Sequence, residues 1–195
     1  AEYLRQFAVM GHSYAELILD RPSPRIGLLS IGEEKSKGTD LTRQVFKMME
    51  SASLNFVGNV EGRDVFAGTV DVIICDGFVG NVMIKSAESL AELMLHFARE
   101  ELGRPWRGKL AYLLARPAFK RLQSRMDYSD YGAATLLGVK GSCFIGHGRS
   151  NAKAIKNSIV KAAAFSAADL HGKMRKSIAE LHRFESEIFE NKEVV

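Results

Sequence analysis

The sequence holds 195 residues, 46% of them hydrophobic and 26% charged, the make-up of an ordinary globular domain. A net charge of +4 with a pI near 9.1 is too weakly basic to point to nucleic acid. Two cysteines, Cys75 and Cys143, both in apolar runs, argue against a disulfide framework or a zinc site and fit a reducing compartment.

Residues 2–20 read as a helix with Leu4, Phe7, Ala8, Gly11, Ala15 and Leu17 along one side, rather than as a signal peptide. No initiator Met precedes it, so the chain is either processed or a segment of a longer one. Asp20-Arg21-Pro22-Ser23-Pro24 breaks the helix, because proline disfavours helix at and before its position. "RIGLLSIG", Arg25 to Gly32, is an apolar run bounded by turn residues and predicts a buried strand. After the polar "EEKSKGTD", a helix is expected from a Thr39 or Asp40 cap, with Leu41, Val45, Met48 and Met49 at helical spacing. "LNFVGNV" and "VDVIIC" predict two further strands, with a turn or two of helix at "RDVFAGT" between them. A long helix is expected over 81–102. Beyond Gly132 the pattern predicts a short helical turn, a strand over Ser142–Ile145, and a helix from Asn151 to Leu170. A last helix, Lys173–Asn191, follows a punctuation at "HGKM".

Strand and helix alternate and the strands are apolar throughout, which implies βαβ units and a parallel sheet covered on both faces. In such sheets ligands bind where strands end and helices begin. Three loops occupy those places: Gly32–Gly38, Asp76–Asn81 and Gly146–Asn151. Each carries glycines that admit a ligand close to the backbone, and helix N-termini favour anions. Asn81 either caps the helix that follows or turns its amide to an oxygen in the crevice. Asp76 either binds a ligand or accepts backbone N–H groups. Gly77 and Gly80 either permit the turn or contact a substrate. Lys37 is a surface lysine or a cation for the site, and His147 beside Gly148 a turn residue or a substrate donor. Glu33 and Glu34 read as a solvated pair. No GxGxxG, P-loop, GxSxG or histidine–carboxylate metal pattern occurs, so any catalysis works by positioning and by donors aimed at developing negative charge.

The stretch 104–131 interrupts the α/β rhythm and predicts an inserted helical hairpin. Leu110, Leu113, Leu114 and Phe119 supply its apolar part, and Arg116, Lys120 and Arg121 part of its charge. Such a surface suits a membrane, an acidic protein partner or a dimer interface.

Taken together, "RIGLLSIGEEKSKGTDL", "FVGNVEGRDVFAGTVDVIICDGFVGNVMIKSAE" and "DYGAATLLGVKGSCFIGHGRSNAKAI" resemble the bacterial phosphate acyltransferases of phospholipid synthesis, the PlsX family. The resemblance runs over residues 1–168 and places the chain in the C-terminal part of that longer family. It implies a Rossmann-like three-layer α/β/α fold with a mostly parallel sheet, like that of isocitrate and isopropylmalate dehydrogenases.

The implied reaction is attack of inorganic phosphate on the thioester of a fatty acyl group carried by acyl carrier protein. Neither cofactor, metal nor covalent enzyme intermediate is implied. The resemblance assigns Lys37 to phosphate or oxyanion charge and Asn81 to the acyl carbonyl. Gly32, Gly38, Asp76, Gly77, Gly80, His147 and Gly148 fall to substrate contact. It further implies a homodimer in the cytoplasm, peripherally attached to the inner face of the membrane. Leu110, Leu113, Leu114, Arg116, Phe119, Lys120 and Arg121 then meet lipid or the carrier protein. Two other readings fit the residues: a phosphotransacetylase-like enzyme acting on short acyl-coenzyme A, and a non-catalytic membrane- or protein-binding fragment.

Overall fold

A computed structural model describes residues 1–103, 114, 116–121, 128–130 and 132–180. The chain opens with helix α1 (Glu2–Ile18) and runs through β1 (Ile26–Leu29), α2 (Asp40–Glu50), β2 (Phe56–Val60), α3 (Asp64–Ala67) and β3 (Val72–Ile74). Helix α4 (Gly77–Gly103) follows, then a 3₁₀ turn at Tyr128–Asp130, strands β4 (Ala134–Leu136) and β5 (Cys143–Ile145), and helix α5 (Ala152–Ala167). Residues 170–180 are helical again.

Strands β1, β2 and β3 form a parallel sheet in the order β2-β1-β3. The central place of β1 follows from its sequence: Ile26 and Leu28 are fully buried, one strand flanking each side. Burying each such side chain contributes about 1.5–3 kcal/mol. Helix α2 lays Val45, Phe46 and Met49 on this core, and Phe46 meets Phe56 of β2 edge-to-face at 5.2 Å. Helix α1 closes it with Leu4 and Ala8. The architecture is a Rossmann-like α/β fold, as the family resemblance implies, with the parallel sheet that the strand–helix alternation predicts.

A second core lies on another side of α1. Met10 packs with Phe165 of α5 and with Leu170 and Met174, flanked by Tyr14, Leu137 and Phe144. One helix thus joins the parallel sheet to the C-terminal helices. At the start of β1, the Arg25 side chain and main chain both donate to Asp71 at about 3 Å. That hydrogen bonding holds the Asp71 carboxyl below its ordinary range and raises the guanidinium.

Several expectations need correction. Phe7 is 45% exposed, because it faces a gap beside the β3 edge instead of the core. Phe46, absent from the expected helical stripe, is buried, while Leu41 is exposed. "AATLL" is not a helical turn. Ala134–Leu136 is a strand paired antiparallel with Cys143–Ile145 in its own two-stranded sheet. The loop at 146–151 therefore does not end a strand of the parallel sheet. The break before the last helix falls at Ala168–Asp169, where Asp169 takes a left-handed φ of 47° and caps Gly172 with its carboxylate. "HGKM" lies within the helix that follows. The helix expected over Lys173–Asn191 is seen as far as residue 180, and 181–191 lie outside the described residues, as does most of the proposed insertion 104–131.

Candidate active site

The lysine loop leaves the carboxyl end of β1. The Ser30 N–H donates to the Val60 carbonyl at 2.8 Å, extending the β1–β2 ladder by one step. The chain then turns back: the Lys37 N–H reaches the Glu34 carbonyl at 3.0 Å. Gly32 is buried under this turn. A Cβ there would lie 2.9 Å from Cγ of Lys37, so the missing side chain makes the seat across which the lysine stem folds. Gly38 adopts φ +100° and brings the backbone over the hydroxyls of Ser30 and Thr42. Thr39 caps α2, its hydroxyl accepting from the Thr42 N–H at 3.2 Å.

Charges around this loop are mostly paired. Lys35 binds Glu50, and Arg63 binds Glu33, both at the surface. Among the described residues Lys37 has no such carboxylate partner, and its ammonium is exposed. It is the cation of the loop left available to an anion.

The second loop is shorter than its glycines suggest. Helix α4 begins at Gly77, four residues earlier than expected. Asp76 caps it, its Oδ1 accepting from the Val79 N–H at 2.9 Å while its carbonyl accepts from the Gly80 N–H at 3.0 Å. The structural alternative for Asp76 is thus realised, and the capping alternative for Asn81 is not. Asn81 stands in the second turn, exposed, with no side-chain hydrogen bond among the described residues. The Asp76 carboxylate also partly neutralises the positive end of α4, which makes that end a poor seat for an anion. Gly77 faces open space, whereas Gly80 leaves room for the Cys75 sulfur, 3.0 Å from where a Cβ would sit.

Since β1 and β3 are parallel neighbours, with Leu28 opposite Ile74, both loops emerge at one edge of the sheet. Between them opens a cleft of about 430 Å³. Leu4, Leu29, Val79, Val82 and Met83 form its apolar body, with Ile31 and Phe78, 82% and 78% exposed, at its lips. Ser30, Thr39 and Thr42 supply its hydroxyls. Lys37 and Asn81 do not line it; each adjoins a residue that does, Gly38 and Val82. His147 and Gly148 lie outside this lining. The His147 ring accepts from the Arg149 N–H at 3.2 Å and its carbonyl from Ser150, the bonding of a turn residue. The sequence reading missed the hydroxyls and the apolar wall. The start of α4 hid the wall, since Phe78, Val79, Val82 and Met83 have helical spacing only once the helix begins at Gly77.

Cys75 borders the cleft as well. Burial, and then the neighbouring Asp76, push its thiol above the ordinary value, so it stays protonated and weakly nucleophilic near neutrality. Alkylation of Cys75, followed by peptide mass spectrometry, is expected to keep accelerating above about pH 8.5. A rate that levels off near neutrality would contradict this environment.

Fold and cleft define the class: an α/β protein that presents two strand-end loops, one bearing an exposed lysine, around an apolar cavity. The chain matches, over residues 1–173, the family described as fatty acid synthesis protein, and it belongs to that family. It is 51% identical over 158 residues to a phosphate acyltransferase of Thermodesulfovibrio yellowstonii, covering 81% of this chain and 46% of that one. Against a phosphate acyltransferase of Aquifex aeolicus it is 48% identical over 173 residues, 89% of this chain and 51% of the relative. A third, from Trichlorobacter lovleyi, is 52% identical over 159 residues, 82% of this chain and 46% of the relative. The chain spans about half the length of these relatives.

Proposed function

We propose that the chain forms the C-terminal part of a phosphate acyltransferase, which makes acyl phosphate from inorganic phosphate and a fatty acyl thioester on acyl carrier protein. The observation that carries this reading is the apolar cleft opening beside the Lys37 loop, in a chain similar to proteins named phosphate acyltransferase. A fatty acyl group needs an apolar channel that ends at a polar reacting centre. Here the apolar wall from α1 and α4 meets the hydroxyls and lysine loop of β1–α2.

In the proposed reaction a phosphate oxygen attacks the thioester carbonyl carbon. The carbonyl oxygen gains negative charge, then the C–S bond breaks and the thiolate leaves to take up a proton. Lys37 holds phosphate or developing oxyanion charge, and Asn81 donates its amide to the acyl carbonyl. Phosphate is the nucleophile, so no side chain is acylated. The test is phosphate-dependent release of carrier thiol with formation of a hydroxylamine-reactive acyl phosphate. It is run on the 195-residue chain and on a longer chain containing it. Product that scales with phosphate in either supports the reading. No product in both, or turnover of short acyl-coenzyme A alone, overturns the carrier-protein assignment.

Membrane attachment is the second part of this reading. No helix among the described residues is long and apolar enough to cross a membrane. Leu114 is 76% exposed, and Arg116, Lys120 and Arg121 stand exposed beyond it, an apolar residue followed by cations that suits anionic headgroups. Phe119 is half-buried, while Leu110 and Leu113 lie outside the described residues. Leu114→Glu is expected to reduce co-sedimentation with anionic vesicles several-fold, and equal sedimentation of both proteins would count against the attachment. The exposed Leu90, Met94 and Phe97 of α4 give a further apolar surface, fitting the homodimer in this reading.

A further inference from the structure

We propose that Asn59 is the positioning residue for Lys37, acting through the Glu34 carbonyl. The inference rests on the reading of Lys37 as the cationic donor. Asn59 lies near the carboxyl end of β2, opposite Leu28 of the central strand, and is 7% exposed. Its Nδ2 donates to the Glu34 carbonyl at 2.9 Å. The same carbonyl accepts the Lys37 N–H at 3.0 Å. One oxygen therefore ties the lysine backbone to a strand of the sheet. The next residue of β2, Val60, accepts the Ser30 N–H at 2.8 Å, so this strand end fastens the loop at its start and again at its middle.

A buried amide is an expensive choice for stability alone. The Asn59 Oδ1 is buried and has no protein partner among the described residues, a cost that an apolar side chain would avoid. Its nitrogen supplies what an apolar residue cannot, a donor aimed out of the sheet at the turn. Exposed flanking pairs, Lys35 with Glu50 and Arg63 with Glu33, are too weakly held to fix that turn. Without the amide, the Lys37 stem keeps its seat over Gly32 only through local contacts.

The test is a double-mutant cycle in the active form of the enzyme, this chain or the longer one containing it. Asn59→Leu is expected to lower kcat about tenfold with KM for the acyl substrate little changed. In the Lys37→Ala background it should add nothing, because the residue it positions is gone. Amide exchange at Lys37 should accelerate by at least about tenfold in Asn59→Leu, while amides of β1 and β2 keep their protection. Rate losses that multiply in the double variant would show a general structural role and overturn the inference. So would unchanged kcat and unchanged exchange in Asn59→Leu when Lys37→Ala alone is slow. Wild-type turnover in Lys37→Ala would instead remove the lysine reading first, and this inference with it. If Asn59→Leu does not fold, Asn59→Ser, which shortens the reach to Glu34, is carried through the same cycle with the same outcomes.

Discussion

Lys37→Ala is expected to lower phosphate-dependent turnover at least tenfold, approaching the roughly 10²–10³-fold loss typical of removing one preorganised donor. The protein should remain folded. Lys37 is exposed, the hydrogen bond that holds it in the turn runs from its backbone N–H to the Glu34 carbonyl, and that bond survives the substitution. A loss confined to kcat would assign the ammonium to charge that develops in the transition state; a rise confined to KM for phosphate would assign it to ground-state binding. Lys37→Arg keeps the charge but replaces a compact ammonium by a planar fork, so partial activity is expected. Asn81→Ala should give a comparable loss, and Asn81→Asp a larger one, because a carboxylate then faces the same oxygen the amide served. Near-normal rates in both alanine variants, with melting temperatures unchanged, would take these two side chains out of the mechanism.

Gly38→Ala is the second large effect, and it is expected in stability before activity. At φ +100° an alanine occupies backbone territory that costs about 1–3 kcal/mol. Its methyl would also lie 2.2 Å from the Thr42 hydroxyl and 2.7 Å from the Ser30 hydroxyl, too close for any real contact. The two hydroxyls must swing away, or the loop or α2 must shift. Thermal unfolding should fall by several degrees, since about 1 kcal/mol corresponds to roughly 2–4 °C in a chain of this size. Adding Thr42→Ala removes the closest clash but leaves the backbone strain, so the double variant should recover only part of the loss. Full recovery would place the whole cost in the clash. An unchanged melting temperature in Gly38→Ala would show that the turn is not held as described.

The sequence carried the parallel sheet plainly. "RIGLLSIG", "LNFVGNV" and "VDVIIC" are apolar runs fenced by glycine, proline and polar turn residues, and all three are strands. The start of α2 was legible at Thr39 or Asp40, both good caps before a helical apolar stripe, and the structure gives the capping to Thr39. What stayed hidden depended on neighbours distant in sequence. Gly77 and Gly80 are poor helix formers and read as loop, yet Asp76 and the sheet edge beneath them start the helix there. Ala134, Thr135 and Leu136 suit a helix as well as a strand, and only pairing with Cys143–Ile145 decides. At the site, the first two loops were legible, but the third was wrongly grouped with them, since nothing in "CFIGHGRS" tells a parallel strand from a hairpin strand. The role of Gly32 as the seat of the Lys37 stem, and the bond from Asn59 to Glu34, exist only once the loop has folded.

The central claim is that the Lys37 loop and the first turns of α4 bound one cleft that takes a fatty acyl chain. Photolabelling tests it most directly, with a long-chain acyl thioester bearing a diazirine along the chain and peptide mapping of the adducts. The account predicts adducts in both the 29–42 and the 75–83 segments, suppressed together by unlabelled acyl carrier thioester. Adducts confined to one segment, or found in 132–150 instead, would contradict it.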